Sequence, residues 1–461
     1  VSKQPYQPGE KLKIGEKILV TIKRMGINGE GVGYFHRKAV FIPGAIVDEV
    51  VRARVNRVES TFIEATIVQL VKESPHRIEP ACPVYAQCGG CQLQHMDYSA
   101  QRSGKEAIVR EAFARYTKLT ELPLRPIFGM KDPWDYRNKA QMQLNYLNGD
   151  VQAGLYAEGS HQLVAIKDCG VQHPAVNRVI EAVRDIIARF KLPIYVERKR
   201  NGGLRTIVAR VAPDSGKVQL TIVTADNALH RSAELVGAIQ RACPEVISIA
   251  QNVNPHRSSM VFGEKTVLLW GEERLPAQLG SIQFQLSPRA FFQLNSSQTV
   301  RMYDAVREAA QLTGKEKVVD AYCGTGTIAL WLADQAAEVR GIEVVEDAIE
   351  DARRNAKLSG RTNVEFHVGR SEQLLPHWVK GGYRPDVIVV DPPRTGCEAD
   401  LLHAFVKAQP ARIVYVSCNP STLAKDCKLL VENGYHIKWV QPIDMFPQTA
   451  QVEAVALLER R

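Results

Sequence analysis

Two short segments carry residues able to do chemistry together. Asp391-Pro392-Pro393-Arg394 follows the apolar run Val387–Val390, and Ser417-Cys418-Asn419-Pro420 follows another apolar run. In an open α/β sheet ligands bind outside the carboxyl ends of the strands, so a carboxylate and a thiol at two such ends should face one crevice. The Pro-Pro turn has fixed φ and no N–H donor, which makes a rigid lip beside a ligand. A lone cysteine in this position more often packs than reacts, and the neighbouring Asp-Pro-Pro-Arg shifts the reading of Cys418 towards a nucleophile. Upstream, Asp320-Ala-Tyr322-Cys-Gly324-Thr-Gly326-Thr closes one strand and opens a helix, where glycines let the backbone approach a ligand closely. Taken alone, Gly324-x-Gly326-x-x-Ala329 also fits a dinucleotide fingerprint, and Glu343, near the end of the next strand, suits a ribose diol in either case. The Asp391 and Cys418 segments favour S-adenosylmethionine over a nicotinamide dinucleotide.

A second constellation is Cys82-x5-Cys88-Gly-Gly-Cys91 with Cys169 far downstream. Two glycines between ligands permit the tight turn that aims both sulfurs at one centre. Four thiolates can bind zinc or a [4Fe–4S] cluster, and spacing alone favours zinc, the commoner structural metal. The chain has 9 cysteines, and Val1–Glu10 is polar without a signal-peptide region. A disulfide framework is therefore not expected, and metal binding or catalysis is the better default.

These residues need elements to position them. With 461 residues and 45% hydrophobic content, two to four domains with buried cores are expected. No apolar run is long enough for a membrane span, so a soluble, cytoplasmic protein is expected. Residues 1–290 carry 39 basic and 28 acidic side chains, a balance of +11, whereas residues 291–461 carry 20 and 22, a balance of −2. A basic front joined to a near-neutral rear suggests nucleic-acid binding followed by chemistry, although charge alone fits an ordinary basic surface as well.

Residues 8–70 read as five short strands separated by glycine turns, with Lys17–Arg24, Lys38–Pro43, Val47–Arg57 and Phe62–Leu70 as strand-like stretches and Gly26–Gly33 as a glycine-rich turn region. That pattern predicts a small closed barrel, with Arg52, Arg54 and Arg57 on one face suited to phosphate backbones. The block resembles a TRAM domain, an OB-like RNA-binding module. Residues 71–287 read as a central α+β domain holding the cysteines, with a helix over 98–116 that is free to pack on the catalytic domain. Asn148-Gly149 marks a hairpin. From residue 288 onward strands alternate with helices: Lys317–Ala321, Val339–Glu343, Val364–His367, Val387–Asp391, Ile413–Ser417, His436–Pro442 and Gln451–Leu458. The last strand has no room for a preceding helix and should enter antiparallel. The fold class is therefore multidomain α/β: a barrel, a central α+β domain and a Rossmann-like seven-stranded sheet.

Together, Phe292-Gln293-Leu294-Asn295, Asp320-Ala-Tyr-Cys-Gly-x-Gly-Thr, Asp391-Pro-Pro-Arg-Thr-Gly396, Ser417-Cys-Asn-Pro and the ending around Glu453 resemble the RNA uracil-5-methyltransferase family. The resemblance covers nearly the whole chain and looks nearest to the 23S rRNA branch, in particular its Gram-positive dual-site type. It implies that Gln293, Tyr322, Glu343 and Asp391 contact S-adenosylmethionine, that Cys418 is the nucleophile and that Glu453 is the base. It also implies a [4Fe–4S] cluster on Cys82, Cys88, Cys91 and Cys169, reversing the preference for zinc. The tRNA branch typically lacks both cluster and TRAM domain, which argues against a tRNA substrate. A non-catalytic rRNA-binding assembly factor would show a degraded cofactor rim, yet every motif stands intact. Radical S-adenosylmethionine enzymes usually carry Cys-x3-Cys-x2-Cys, which differs from the spacing here.

The implied chemistry suits these residue types. C5 of uracil is a poor nucleophile until a thiolate adds to C6 and makes the ring an enolate; C5 can then take a sulfonium methyl group. A base must next remove the C5 proton so that the thiol is expelled. Glu453 lies in a strand whose apolar neighbours would desolvate it and raise its pKa. Arg394 is a candidate for stabilising charge on the ring oxygens, or for a local salt bridge. Because C6 is shielded in a helix, the target uridine should be unpaired or flipped out. No motif reports oligomeric state, and a monomer is the expectation.

Overall fold

The structure, a computed structural model, describes residues 12–117, 119, 121–196, 203–256 and 260–461. The start of the expected barrel at residues 8–11, and the polar N-terminus, lie outside the described residues.

Five strands, β1 (Lys17–Met25), β2 (Gly31–Phe35), β3 (Lys38–Ile42), β4 (Val50–Val58) and β5 (Phe62–Lys72), close a barrel in the order β1-β2-β3-β5-β4. Alternation builds it: Ile18, Val20 and Ile22 of β1 and Val51, Ala53 and Val55 of β4 point inward, with exposed residues between them. Arg52 and Arg54 share the outer face. Arg57 does not follow them in phase, because it lies three residues after Arg54 and the β4–β5 register shifts between Val55 and Arg57. The bulge turns Arg57 outward next to Glu59 and over the Phe62 ring.

Helix α1 (Tyr98–Thr117) follows. Its apolar stripe, Ile108, Val109, Ala112 and Phe113, packs against Leu423, Ala424 and Val440 of the C-terminal core. A second sheet then forms from β6 (Lys139–Leu147), β7 (Asp150–Tyr156), β8 (Leu163–Ala165), β9 (Leu204–Val211), β10 (Val218–Thr224), β11 (Val246–Val253) and β12 (Lys265–Gly271), in the order β12-β11-β10-β9-β6-β7-β8. It is covered by α2 (Pro174–Arg189) and α3 (Ser232–Ala242). Asn148 and Gly149 both take positive φ, 53° and 90°, and form the two-residue turn between β6 and β7.

The hairpin β13 (Leu275–Leu279) and β14 (Ile282–Leu286) precedes residue 288, yet its Leu275, Phe284 and Leu286 pack in the C-terminal core. The remaining elements alternate: α4 (Ser296–Ala310), β15 (Lys317–Ala321), α5 (Thr327–Leu332), β16 (Glu338–Glu343), α6 (Glu346–Leu358), β17 (Val364–Val368), α7 (Ser371–Lys380), β18 (Val387–Val390), α8 (Ala399–Ala408), β19 (Arg412–Ser417), α9 (Pro420–Glu432), β20 (Tyr435–Ile443) and β21 (Glu453–Arg460). The sheet order is β17-β16-β15-β18-β19-β21-β20, with β21 antiparallel to both neighbours and the other pairs parallel. This is the seven-stranded arrangement with one late reversal. The near-continuous burial of Val387–Val390 and Ile413–Ser417 reflects coverage of both faces, one by the layer holding α4 and α5 and the other by α1, α8 and α9. Among the described residues no helix is long and apolar enough to cross a membrane.

Candidate active site

One edge of the C-terminal sheet collects the reactive groups. Glu343 ends β16, Asp391 follows β18 and Cys418 follows β19. Because β21 runs against the other strands, its first residue lies at this same edge. Ser417 pairs with Ala454, which sets Glu453 beside Cys418. A parallel final strand would have carried Glu453 to the opposite edge. Glu453 is buried, with 6% of its surface exposed.

Local sequence fixes the two loops against each other. Asn419 caps α9 by accepting from the Ser421 N–H at 3.0 Å, and its Nδ2 donates to the Arg394 carbonyl at 3.1 Å. Pro420 occupies the first turn of α9, where no N–H is needed. Gly396 has φ +86°, and an added Cβ would meet the Asp426 carboxylate at 2.7 Å; that carboxylate accepts the Cys397 N–H at 2.9 Å. The Asp-Pro-Pro-Arg lip is thus tied to the Cys418 turn and to α9.

The electrostatics are those of a crowded acidic rim. Burial, followed by the charges of Glu453 and Asp391, pushes the Cys418 thiol up to about 11, while a hydrogen-bonding Arg394 guanidinium opposes them. Burial and then Asp391 push Glu453 up to about 8, again opposed by Arg394. Burial raises Asp391 to about 6, and burial with Asp391 raises Asp320 to about 8. Asp320 accepts the Ala329 N–H at 3.0 Å through Oδ2, whereas its buried Oδ1 has no protein partner. A carboxyl whose hold on its proton is strengthened in this way can exchange a proton close to neutral pH and accepts one once ionised, and a cationic ligand against the rim would favour that ionised form.

The remaining predicted residues border the same edge. Glu343 accepts the N–H groups of Gly324, Val344 and Val345 at 3.3, 2.8 and 3.0 Å. Gly324 has φ +54° with open space where a Cβ would stand, so a ligand can approach its backbone. Tyr322, at φ +75°, donates its hydroxyl to Glu372 at 2.7 Å. Gln293 precedes the Asn295 cap of α4, and the Asn138 side chain holds its carbonyl at 2.9 Å. Glu372 and Asp426 were not singled out from sequence; each acts through partners distant along the chain and carries no local signature. The donors and the open glycine fit S-adenosylmethionine.

The four cysteines of the second constellation line one cavity, together with Tyr85, Gly90, Gln94, Arg137 and Gln172. The Gly90 N–H reaches Cys88 Sγ at 3.4 Å, and a Cβ on Gly90 would stand 3.3 Å from that sulfur. Burial pushes Cys91 up to about 11, with a hydrogen bond from Gln94 against it and the charges of Cys169 and Cys88 reinforcing it; Arg137 pulls down both Cys91 and Cys169. Among the described residues no group of three or more His, Cys, Asp or Glu is placed to hold a metal ion. The thiols thus converge on one cavity without forming single-ion coordination geometry.

The comparisons with known proteins agree with this geometry. Residues 270–461 match the tRNA (Uracil-5-)-methyltransferase family, and residues 11–68 match the TRAM domain. The chain is 53% identical to an uncharacterized RNA methyltransferase of Halalkalibacterium halodurans, over 97% of each chain. It is 51% identical to another of Bacillus anthracis, over 98% of each. Among solved structures, the Pyrococcus abyssi tRNA (uracil-54, C5)-methyltransferase in complex with S-adenosyl-L-homocysteine superposes with a TM-score of 0.75 at 28% identity, covering 96% of this chain and all of that one. A tRNA enzyme therefore shares the architecture over almost the whole chain, and architecture alone does not separate an rRNA from a tRNA substrate. The strand-end rim, the barrel and these matches together identify the chain as a member of the RNA uracil-5-methyltransferase family, an S-adenosylmethionine-dependent RNA methyltransferase with a TRAM domain.

Proposed function

We propose that the protein forms 5-methyluridine in 23S rRNA, with Cys418 as nucleophile and Glu453 as base. The observation that carries this reading is the antiparallel entry of β21, which sets a carboxyl raised to about 8 beside the Cys418 thiol. S-adenosylmethionine, when bound, supplies an electrophilic methyl group; Gln293, Tyr322, Glu343 and Asp391 are assigned to hold it. Cys418 reacts as the thiolate, its proton passing to water; as its sulfur bonds to uracil C6 the C5–C6 π pair moves onto the ring, so that C5 becomes the nucleophile. Arg394 hydrogen-bonds the thiol and lowers its pKa, and the same cation is available to charge developing on the ring. After methyl transfer, Glu453 takes the C5 proton, the C5–H pair re-forms the C5=C6 bond, and the sulfur leaves C6 as the thiolate. The hydrogen bond from Asn419 to the Arg394 carbonyl keeps the Cys418 turn and the Asp-Pro-Pro-Arg lip in register throughout.

The cavity lined by Cys82, Cys88, Cys91 and Cys169 is assigned to a [4Fe–4S] cluster with a structural or RNA-orienting role. Support comes from the four converging thiols, the Gly90 N–H directed at Cys88 and the Arg137 charge, all of which favour thiolate ligands. The positive barrel face with Arg52 and Arg54 is assigned to RNA backbone, and the enzyme is taken to act as a monomer on an unpaired or flipped uridine.

A tRNA substrate is the second reading, favoured by the likeness to the archaeal tRNA enzyme. Mapping 5-methyluridine in 23S rRNA and tRNA from cells with and without the protein tests both. Loss confined to 23S rRNA supports the first, and loss confined to tRNA overturns it.

A further inference from the structure

The base sits at the end of a nine-residue connection, residues 444–452, between β20 and β21. That connection makes few hydrogen bonds within itself, the Thr449 N–H and hydroxyl to the Phe446 carbonyl and the Gln451 N–H to the Thr449 hydroxyl among them. Gln448 at its centre is held at φ +70°, in the left-handed region. Distant parts of the chain hold it there.

The segment that follows the paired cysteines provides most of these anchors. The N–H groups of Gln92 and Leu93 both donate to the Gln448 carbonyl, at 3.1 and 3.0 Å. The Gln92 side chain accepts the Ala450 N–H at 3.3 Å, and its Nε2 returns to the Gly89 carbonyl at 2.9 Å, inside the Cys88–Cys91 turn. Tyr85, which lines the thiol cavity, donates to the Gln92 carbonyl at 2.7 Å. From α1, Gln101 exchanges two hydrogen bonds with Gln448, both 3.0 Å, and also donates to the carbonyls of Leu93 and Met96. Gln101 and Gln448 are almost wholly buried, so the pair has no water to substitute for a missing partner. One turn further along α1, the buried Lys105 ammonium donates to Asp444 at 2.5 Å and to the Phe446 carbonyl at 3.1 Å.

We propose that Gln92 and Gln101 are positioning residues for Glu453, and that the Cys88–Cys91 turn, through Gln92, sets the rate at which the methylated ring is released without setting the rate of methyl transfer. The proposal rests on the reading of Glu453 as the base. Glu453 is the first residue of β21 and pairs with Ile443, so a shift of the connection moves its carboxyl directly. Cys418 is anchored separately, through Asn419 and α9. Loosening the connection should therefore misplace the proton acceptor and leave the nucleophile in place.

The test uses the full chain with 23S rRNA transcript and S-adenosylmethionine. It follows methyl incorporation in a single turnover, product release in steady state, and covalent protein–RNA species on a denaturing gel. Gln92→Ala/Gln101→Ala should slow release about tenfold, as expected for the loss of buried hydrogen bonds that hold a catalytic group, with accumulation of methylated adduct and a near-normal first turnover. Gln101→Ala alone should be milder, and Cys91→Ser should reproduce the release defect while S-adenosylmethionine binding is retained. If the double variant loses S-adenosylmethionine binding, Gln92→Ala, which leaves the Gln101 pair intact, is scored by the same three readouts. Normal release in the scored variant, or an equal fall in both steps, overturns the proposal. Normal release by Cys91→Ser overturns the coupling to the cysteine turn. Glu453→Gln is run in parallel: absence of adduct there defeats the assignment of the base, whereas adduct there without a defect in the glutamine variants defeats this inference alone.

Discussion

Two sets of half-buried thiols stand out in the molecule, and their surroundings differ in kind. Cys418 stands alone among carboxyl groups: burial raises its pKa first, Glu453 and Asp391 raise it further, and Arg394 lowers it. Cys91 and Cys169 stand among other thiols, which raise them further, with Arg137 and backbone or amide donors lowering them. Where the raising charges belong to carboxyls, proton transfer can relieve the conflict within the site, and the thiol is suited to come and go as a nucleophile. Where they belong to thiols sharing a cavity, relief requires a cationic guest, and the site is suited to permanent occupancy. The difference is the one expected if, as proposed, Cys418 reacts and the cavity cysteines serve as ligands.

The largest effect that can break this comparison is loss of the lone thiol. Cys418→Ala should reduce methylation by at least about 10⁴-fold and form no covalent RNA species, because it removes the thiolate that is proposed to add to C6. Measurable turnover by this variant, assayed by tritium release from C5, would mean that the thiol only packs.

The second set is challenged by its contents. Anaerobically purified protein should be brown and contain iron and sulfide, and Cys82→Ser/Cys169→Ser should be colourless while still binding S-adenosylmethionine. Stoichiometric zinc in a colourless wild-type protein would replace the cluster by a single ion and leave the rim chemistry standing.

A smaller effect sharpens the electrostatics of the rim. Arg394 opposes the rise of both Cys418 and Glu453. Release requires ionised Glu453, so its rate should rise with pH through about 8. Removing the cation in Arg394→Gln should move that rise to higher pH, since a carboxyl without a nearby positive charge holds its proton more tightly. An unshifted pH profile would place Arg394 outside the field of the base. The smallest effect concerns the barrel. Arg52→Gln/Arg54→Gln should weaken RNA binding and lower the salt slope by about one for each phosphate left without its arginine, with S-adenosylmethionine affinity unchanged. An unaltered salt slope in a binding titration would move the RNA path off this face.

Much of this architecture is legible in the sequence, for physical reasons. Apolar runs such as Val387–Val390, bounded by Pro-Pro or Asn-Pro, report strands buried on both faces, and the missing helix before β21 reports its reversal. The barrel strands read from their alternation, but the bulge at Arg57 does not, because its cause lies in the pairing of β4 with β5. The β13–β14 hairpin is invisible as part of the catalytic core, since its alternation says that it has an apolar face and nothing of which core covers it. In the site, Asp391, Cys418 and Glu343 are legible because each closes a strand. Glu453 is legible only through family resemblance; its first-residue position on an antiparallel strand emerges from the sheet. The hold of Gln92 and Gln101 on Gln448 joins residues far apart in the chain and leaves no local pattern.

The division of labour between thiol and carboxyl is tested most directly by Glu453→Gln mixed with 23S rRNA transcript and S-adenosylmethionine and resolved on a denaturing gel. Addition and methyl transfer remain available to Cys418, while removal of the C5 proton should slow by about 10²–10⁴-fold, the usual contribution of a positioned base. This division of labour requires a protein–RNA species that carries the methyl group, accumulates with time and is absent from Cys418→Ala/Glu453→Gln. Normal turnover by Glu453→Gln with no trapped species would contradict it.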